Sequence, residues 1–129
     1  MQTTEANLIN TKIQMNYKGS CHCGNISFEV TGLLTEVIQC NCSICSKRGA
    51  LMWFVPLADF HLITPKDNYT TYTFNTLTIN HRICPSCGCA PFEESVDKQG
   101  LTTVAINARC IDNLDLTNLN IIQYDGKQR

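Results

Sequence analysis

The chain has 129 residues, of which 43 % are hydrophobic and 16 % are charged, and its formal net charge is −1 at pH 7. This length fits a single domain, and the apolar fraction is sufficient for one hydrophobic core and too high for a disordered chain. Lysine and arginine are dispersed and balanced by acidic residues, which argues against nucleic acid or an anionic membrane surface as a partner.

The sequence also bears on the cellular compartment. No apolar run approaches the roughly 20 residues of a membrane-spanning helix, and the first residues lack the basic start and apolar stretch of a signal peptide. Nine cysteines are present, an odd number, and most occur in close pairs. A reducing compartment keeps such cysteines as thiols or metal thiolates, whereas secreted proteins use them as disulfides. We therefore predict a cytoplasmic protein whose cysteines bind metal.

The pattern of apolar and polar residues predicts mainly extended structure. Residues 1–16 are polar with isolated apolar positions and predict a flexible lead-in, followed by a folded domain at 17–129. Period-two alternation at 25–30, and threonines alternating with aromatics at 69–74, are typical of strands. The apolar run at 50–55, next to Pro56, predicts a buried strand in preference to a helix. The predicted extended segments are residues 25–30, 34–39, 50–55, 69–74, 77–83, 90–93, 101–108 and 121–124, and residues 60–63 form a short apolar segment.

The segments between these strands carry turn and loop signals. Residues 31–32 and 65–68 predict turns, residues 46–49 predict a polar, basic turn, and residues 95–100 predict a polar loop. Residues 113–120 contain three leucines and predict either a short helical turn or an irregular loop. Because no segment sustains a helical period beyond two turns, we predict one predominantly β domain.

Eight of the nine cysteines fall into three tight clusters. The clusters are Cys21-His22-Cys23, Cys40-Asn41-Cys42-Ser43-Ile44-Cys45 and Cys84-Pro85-Ser86-Cys87-Gly88-Cys89. One or two residues between thiols is the spacing at which a single turn aims two sulfurs at one ion, and thiolates suit zinc because the ion is borderline soft. The clusters therefore predict a zinc protein. Spacing alone leaves the sharing of ions open, since Cys40 or Cys42 could join the third cluster and Cys89 could complete a second four-cysteine site.

The clusters and their flanking residues closely resemble those of a known family. The motifs are Gly-Ser-Cys-His-Cys-Gly (19–24), Cys-Asn-Cys-Ser-Ile-Cys (40–45), Cys-Pro-Ser-Cys-Gly (84–88) and Asn-Ala-Arg-Cys-Ile-Asp (107–112). In this order and at these distances they resemble the glutathione-dependent formaldehyde-activating (GFA) family, whose domain also occurs in the centromere protein V group. The resemblance runs from about Gly19 to Lys127, and it implies a small, single, mainly β zinc-binding domain similar to Mss4.

The resemblance also implies how the cysteines divide between two zinc ions. In the family the outer clusters bind a structural zinc and the central cluster binds a catalytic zinc. Carried over to this chain, the structural ligands are Cys21, Cys23, Cys84 and Cys87, and the catalytic zinc ligands are Cys40, Cys42 and Cys45. Four protein ligands close a zinc site, whereas three leave a position for water or substrate. A three-ligand site also loses its ion more easily, so we expect partial occupancy there.

The activity implied by the resemblance is the joining of a thiol to formaldehyde. With glutathione this reaction gives S-hydroxymethylglutathione, and its reverse is classed as a carbon–sulfur lyase reaction. A zinc ion with an open position can hold the thiol as a thiolate or polarise the aldehyde oxygen. The expected partner is a small thiol or thiol adduct, with glutathione as one candidate. The alternatives are a non-catalytic, zinc-stabilised module that binds a protein, and a redox or metal sensor that forms reversible disulfides.

Four further residues near the clusters are weaker candidates. Lys47 and Arg48 could attract a carboxylate of glutathione, although two solvated residues in a turn are the more common case. Cys89 would close the central site if it reached that ion, but we expect a buried small residue or a sulfur behind the ligands. Cys110 is expected to be a core thiol.

The three histidines carry weaker signals than the cysteines. His22 lies between two ligands and must point away from their ion, so we do not predict it as a ligand. His61 has apolar neighbours, which predicts a structural role. His81 precedes the third cluster and could be a proton shuttle, but a surface position on a strand is the expected case.

Overall fold

Two β-sheets make up the structure, a computed structural model that describes residues 14–74 and 79–128. The strands in these residues are β1 (Met15–Ser20), β2 (Ser27–Gly32), β3 (Glu36–Cys40), β4 (Met52–Pro56), β5 (Phe60–Leu62), β6 (Thr70–Tyr72), β7 (Ile79–Ile83), β8 (Phe92–Val96), β9 (Thr102–Asn107) and β10 (Asn120–Tyr124). The mainly β class predicted from the sequence is confirmed. Within the same residues, no helix has the length and apolar character needed to cross a membrane.

The order of the strands determines which chain segments meet. The small sheet has the order β1-β2-β5, and the large sheet has the order β10-β3-β4-β9-β8-β7-β6. Neighbouring strands are antiparallel except β10 and β3, which run parallel with Tyr124 opposite Cys40. Because parallel strands end at the same edge, the segment after β10 lies beside the segment that follows Cys40.

The core lies between the two sheets. Phe28 on β2, Phe60 on β5 and Phe92 on β8 are buried and contact one another in a row, with ring centroids 5.5 Å and 4.7 Å apart. The first two rings belong to the small sheet and the third to the large sheet, so this row joins the sheets. Burial of each ring contributes about 1.5–3 kcal/mol to stability.

Helical structure in the described residues is short. The one α-helix, α1, comprises Cys45–Arg48, and its first residue belongs to the central cysteine cluster. The basic turn predicted at 46–49 corresponds to residues 46–48 of α1 and to Gly49, which caps its C-terminus. Short 3₁₀ turns cover Leu57–Asp59, Lys66–Asn68, Ala108–Cys110, Leu116–Asn118 and Gly126–Gln128. Two of these correspond to the turn predicted at 65–68 and to the helical turn predicted as one alternative within 113–120.

The turn predicted at 31–32 is wrong. β2 continues through Gly32, which pairs with Met15 of β1. A Cβ atom on Gly32 would lie 2.9 Å from the indole ring of Trp53, so the glycine allows the large ring to pack against the strand. The sequence shows the glycine but not the ring that requires it.

The end of β8 differs from its prediction, and β4 has one exposed position. β8 extends to Val96 because Val96 pairs with Thr102 of β9, so the loop predicted at 95–100 is a shorter hairpin turn. β4 confirms the buried strand predicted from the run at 50–55, with one exception, since the side chain of Phe54 is half exposed. Its apolar run at 50–55 therefore includes a residue that faces an open surface, which the periodicity did not reveal.

The described residues include only part of the predicted N-terminal lead-in and part of the strand predicted at 77–83. β1 begins at Met15, ahead of the predicted start of the domain at residue 17. The rest of the predicted lead-in, residues 1–13, lies outside the described residues, as do the first residues of the strand predicted at 77–83. β7 is described from Ile79.

Candidate metal centre and cleft

The first and third cysteine clusters form two similar turns at the ends of strands. Cys21 follows β1 and Cys84 follows β7. Each turn contains a glycine with φ of 82°, Gly24 in the first and Gly88 in the second, and residues with a Cβ atom rarely adopt this backbone conformation. The turns bring four sulfur atoms within 4.8 Å of one another, those of Cys21, Cys23, Cys84 and Cys87.

The distances in this outer group suit a tetrahedral metal ion. Sγ of Cys23 lies 3.8 Å from Sγ of Cys21 and 3.6 Å from Sγ of Cys84. Two sulfurs bound at about 2.3 Å to one tetrahedral zinc ion are about 3.8 Å apart. The backbone N–H of Ile26 donates to Sγ of Cys21 at 3.3 Å, and that of Cys87 donates to Sγ of Cys84 at 3.4 Å. Such donors favour the thiolate form, so the group is suited to hold zinc.

Cys89 lies beside the outer group and not in the central one. The backbone N–H groups of Cys89 and Cys23 lower the pKa of Cys87 to about 5, and the carbonyl of Cys89 accepts from the N–H of Cys84 at 2.9 Å. Its own thiol contacts Cys87 and is not among the converging sulfurs. Cys89 thus lies beside the four converging cysteines of the outer group and does not join the central group.

The central group forms where β3 ends and α1 begins. Cys40 is the last residue of β3, Cys45 is the first of α1, and Cys42 lies in the connection. Their three sulfur atoms lie within 4.8 Å of one another. The N–H of Cys42 lies 3.4 Å from Sγ of Cys40, and the N–H of Cys45 lies 3.5 Å from Sγ of Cys42. Among the residues that the structure describes, no fourth His, Cys, Asp or Glu joins this group.

The environment of the central thiols favours a cation between them. Burial acts to raise the pKa of Cys42, but the backbone N–H of Cys45 and the adjacent thiols outweigh it, so the pKa is lowered. Burial and the neighbouring Cys42 raise the pKa of Cys45. Adjacent thiolates repel one another unless a positive charge lies between them. The donor chemistry therefore fits a metal ion, and the two cysteine groups can hold two.

Gly126 lies against the central group, and it was not identified from the sequence as a residue of the site. Asn41 Nδ2 donates to Oδ1 of Asp125 at 3.0 Å, and the N–H of Lys127 donates to Oδ1 of Asn41 at 3.1 Å. These bonds tie the cysteine cluster to the segment after β10. Gly126 is buried there, and a Cβ atom on it would lie 2.5 Å from Sγ of Cys40. The sequence Asp125-Gly126-Lys127 by itself indicates only a turn, because the neighbour that requires glycine, Cys40, is distant in sequence.

Gly126→Ala should weaken metal binding by the central group and leave the outer group unchanged. The added methyl would meet Sγ of Cys40 and lie 3.0 Å from Cβ of Cys42, so a ligand must move. Disturbing the support of a metal ligand typically costs about 10- to 100-fold in metal affinity. Competition with a chromophoric chelator measures this change. Lys127→Ala keeps the backbone bond to Asn41 and should match wild type. Unchanged affinity in Gly126→Ala would contradict the predicted clash.

His81 of β7 is buried near the central group, so the surface position predicted for it is wrong. Its side chain is 3 % exposed, and Nδ1 lies 3.1 Å from both Nη1 of Arg48 and Oε2 of Glu93. Burial and the Arg48 guanidinium lower the pKa of His81 to about 4. The neutral ring can donate from Nδ1 to Glu93 or accept there from Arg48, one at a time. Nε2 has no hydrogen-bond partner among the described residues.

The contact with His81 also changes the interpretation of the basic pair. Arg48 is exposed, but its guanidinium contacts the imidazole of His81. The prediction of two solvated basic residues therefore holds for Lys47, which is exposed, and not for Arg48. The difference arises because α1 ends beside β7, a proximity that the sequence does not show.

Acidification should destabilise the wild type more than a His81→Gln variant. The pKa of His81 is about 4 in the folded chain, compared with 6.5 for a histidine without these contacts, as in the unfolded chain. Between these two pH values the unfolded chain therefore takes up a proton that the folded chain does not. Stability is therefore complete above about pH 6.5 and falls towards pH 4, by up to about 3 kcal/mol. Urea unfolding at pH 7 and pH 5 measures this difference. Metal loss affects both proteins, so an equal pH response in the two would refute the prediction.

The remaining sequence candidates lie away from the central group. His22 is exposed and belongs to neither group of converging residues in the described part of the chain. His61 is also exposed, so its predicted structural role is wrong; it alternates on β5 with Phe60, which faces the core. Burial raises the pKa of the Cys110 thiol to about 12, as expected for a core thiol.

A cleft of about 270 Å³ borders the central cysteine group. The three cysteines line it together with His81 and Glu93, and most of the other walls are apolar. Residues from six strands of the large sheet contribute to these walls, namely β3, β4, β7, β8, β9 and β10. The cleft therefore lies across one face of the large sheet and opens next to three possible metal ligands.

Comparison with known proteins agrees with this geometry. Residues 16–123 match the family described as glutathione-dependent formaldehyde-activating enzyme. A protein of Rhodobacter sphaeroides with a known crystal structure shares 27 % sequence identity and superposes with a TM-score of 0.68, and the match covers 81 % of this chain and 99 % of that one. Both groups of converging cysteines fall within the matched residues. The chain therefore belongs to the glutathione-dependent formaldehyde-activating enzyme family.

Proposed function

We propose that the chain is a zinc-dependent enzyme of the carbon–sulfur lyase type that makes or breaks the adduct of a small thiol and an aldehyde. The main support is the central group, in which three thiols converge at an open cleft and no fourth ligand joins them in the described part of the chain. Three ligands leave a position for substrate. The family name points to formaldehyde as the aldehyde and to glutathione as one candidate thiol.

In this proposal the two cysteine groups have different tasks. The structural zinc is held by Cys21, Cys23, Cys84 and Cys87, and the catalytic zinc by Cys40, Cys42 and Cys45. Zinc in the central group would supply Lewis acidity, which stabilises a thiolate or polarises an aldehyde oxygen. The apolar walls of the cleft limit access of water to the reacting groups. Thiolate ligands require reduced cysteines, so we propose the cytoplasm as the location.

A non-catalytic binding module is the second candidate, and one observation favours it. β10 is an edge strand of the large sheet, and its residues Ile121, Ile122 and Tyr124 are exposed. Exposed apolar residues on a sheet edge are a feature of surfaces that bind partners. This candidate predicts bound metal without turnover.

Exchange spectroscopy with ¹³C-labelled formaldehyde tests the catalytic proposal. Protein loaded with two equivalents of zinc should accelerate the exchange between free formaldehyde and the S-hydroxymethyl adduct of a thiol above the uncatalysed rate. A panel containing glutathione and smaller thiols covers the substrate range, and zinc without protein is the control. Two bound zinc ions with no acceleration for any thiol would reject the enzyme and favour the binding module.

A further inference from the structure

We propose that the cleft selects an uncharged, largely apolar thiol–aldehyde adduct over glutathione, and that Nε2 of His81 hydrogen-bonds the adduct oxygen. This inference rests on the function proposed above and specifies its substrate class. It is derived from two independent features of the cleft, the chemistry of its walls and a buried nitrogen without a partner.

The walls of the cleft disfavour an anionic ligand. Among the described residues that line it, Glu93 is the one with a formally charged side chain apart from the cysteines and His81, and its charge is negative. Arg48 lines a smaller neighbouring cavity instead. Glutathione carries two carboxylates, and burying a carboxylate without a cationic partner is strongly unfavourable. The volume of about 270 Å³ is also small for a ligand site, so a small neutral ligand fits better.

His81 is one of the polar side chains in these largely apolar walls, which also include Glu93, Ser95 and Tyr124. Its side chain lines the cleft, and Nε2 is buried without a hydrogen-bond partner in the part of the chain that the structure describes. When Nδ1 donates to Glu93, Nε2 is an acceptor that suits the hydroxyl of the adduct. When Arg48 donates to Nδ1, Nε2 carries the proton and suits the carbonyl oxygen of the aldehyde. The contact of Nδ1 with Glu93 thus matches the hydroxyl of the adduct, and the contact with Arg48 matches the carbonyl oxygen of the free aldehyde.

A matched pair of thiols tests the charge preference by binding, independently of turnover. The zinc-loaded protein should bind methyl 3-mercaptopropionate at least about tenfold more tightly than 3-mercaptopropionate in calorimetric titrations, because both thiols meet the same metal but only one carries a carboxylate. Equal or reversed affinities would overturn the proposal. If the preference holds but no thiol is turned over, the proposed enzymatic function fails and the ligand class of the cleft stands.

A charge substitution provides a second check on the same preference. Phe54 lines the cleft and is 50 % exposed, so Phe54→Arg adds a cation without removing a buried core residue. The ratio of the two affinities should shift towards 3-mercaptopropionate by at least about threefold. An unchanged ratio would show that the ligands bind elsewhere and would overturn the proposal.

Nitrogen NMR on histidine-labelled wild-type protein tests the role of His81 without a mutation. Binding of methyl 3-mercaptopropionate with formaldehyde should shift the Nε2 resonance of His81 and leave those of His22 and His61 unchanged. His81→Gln should then weaken binding of the adduct about five- to tenfold, whereas His61→Gln, on an exposed position of β5, should not. A His81 Nε2 resonance that does not respond to saturating ligand would overturn the contact.

Discussion

Cys23→Ser is expected to abolish metal binding by the outer group and to unfold the domain. Cys23 is exposed, so the substitution removes a ligand and almost no packing. Its sulfur lies 3.8 Å from that of Cys21 and 3.6 Å from that of Cys84, and the group joins the chain after β1 to the chain after β7. Binding of structural zinc is worth about 10–16 kcal/mol in small peptides, which equals or exceeds the usual stability of a domain, about 5–15 kcal/mol.

The measurement combines metal content with an amide NMR spectrum of the purified variant. Cys23→Ser should give collapsed amide dispersion and lose both ions, because the central group depends on the folded sheet. Ser86→Ala, an exposed substitution in the paired turn, is the control and should retain the wild-type spectrum and both ions. A native spectrum for Cys23→Ser with one ion missing would show that the outer group is not the stabilising one.

Cys42→Ser should reduce the acceleration of adduct exchange to background while the fold remains. Cys42 lies in the connection between β3 and α1, and its sulfur belongs to the central group alone. Removing one of three ligands leaves two, too few to retain zinc against exchange with solvent. The residue is only partly buried, so the change should have little effect on the core that joins the two sheets.

The expected metal content of Cys42→Ser is one ion in place of two, with a native NMR spectrum outside the central group. Cys110→Ser is the matched control, because Cys110 is also partly buried and belongs to neither converging group. It should keep both ions and the wild-type exchange rate. Loss of both ions and of the fold in Cys42→Ser would show that the two groups are not separable, and full activity would remove the central group from the reaction.

The strands were largely predictable because their signals are local. Alternation at 25–30 corresponds to β2, and the strand predicted at 101–108 contains β9. The errors at Gly32 and Val96 have the opposite origin. Their conformations depend on Trp53 and on pairing with Thr102, and neither neighbour is visible from the adjacent sequence.

The candidate site shows the same division between local and distant information. Cysteines one or two residues apart must share a turn, so the cysteines that converge could be named from spacing and from the family resemblance. His81, Glu93 and Arg48 could not be grouped in this way, since β7, β8 and α1 bring them together. His81 was expected at the surface because a single histidine in a strand gives no sign of which face it occupies.

The sequence by itself determined the mainly β class, the family and the cysteines available for metal, because each follows from residue type and short-range spacing. Only the tertiary structure decided which sulfurs converge, what surrounds them and what the adjoining cleft can accept. The parallel pairing of β10 with β3 places Gly126 against Cys40, and the antiparallel pairing of β7 with β8 places His81 beside Glu93. Contacts between residues so far apart in the chain depend on strand order and register, which local sequence does not encode.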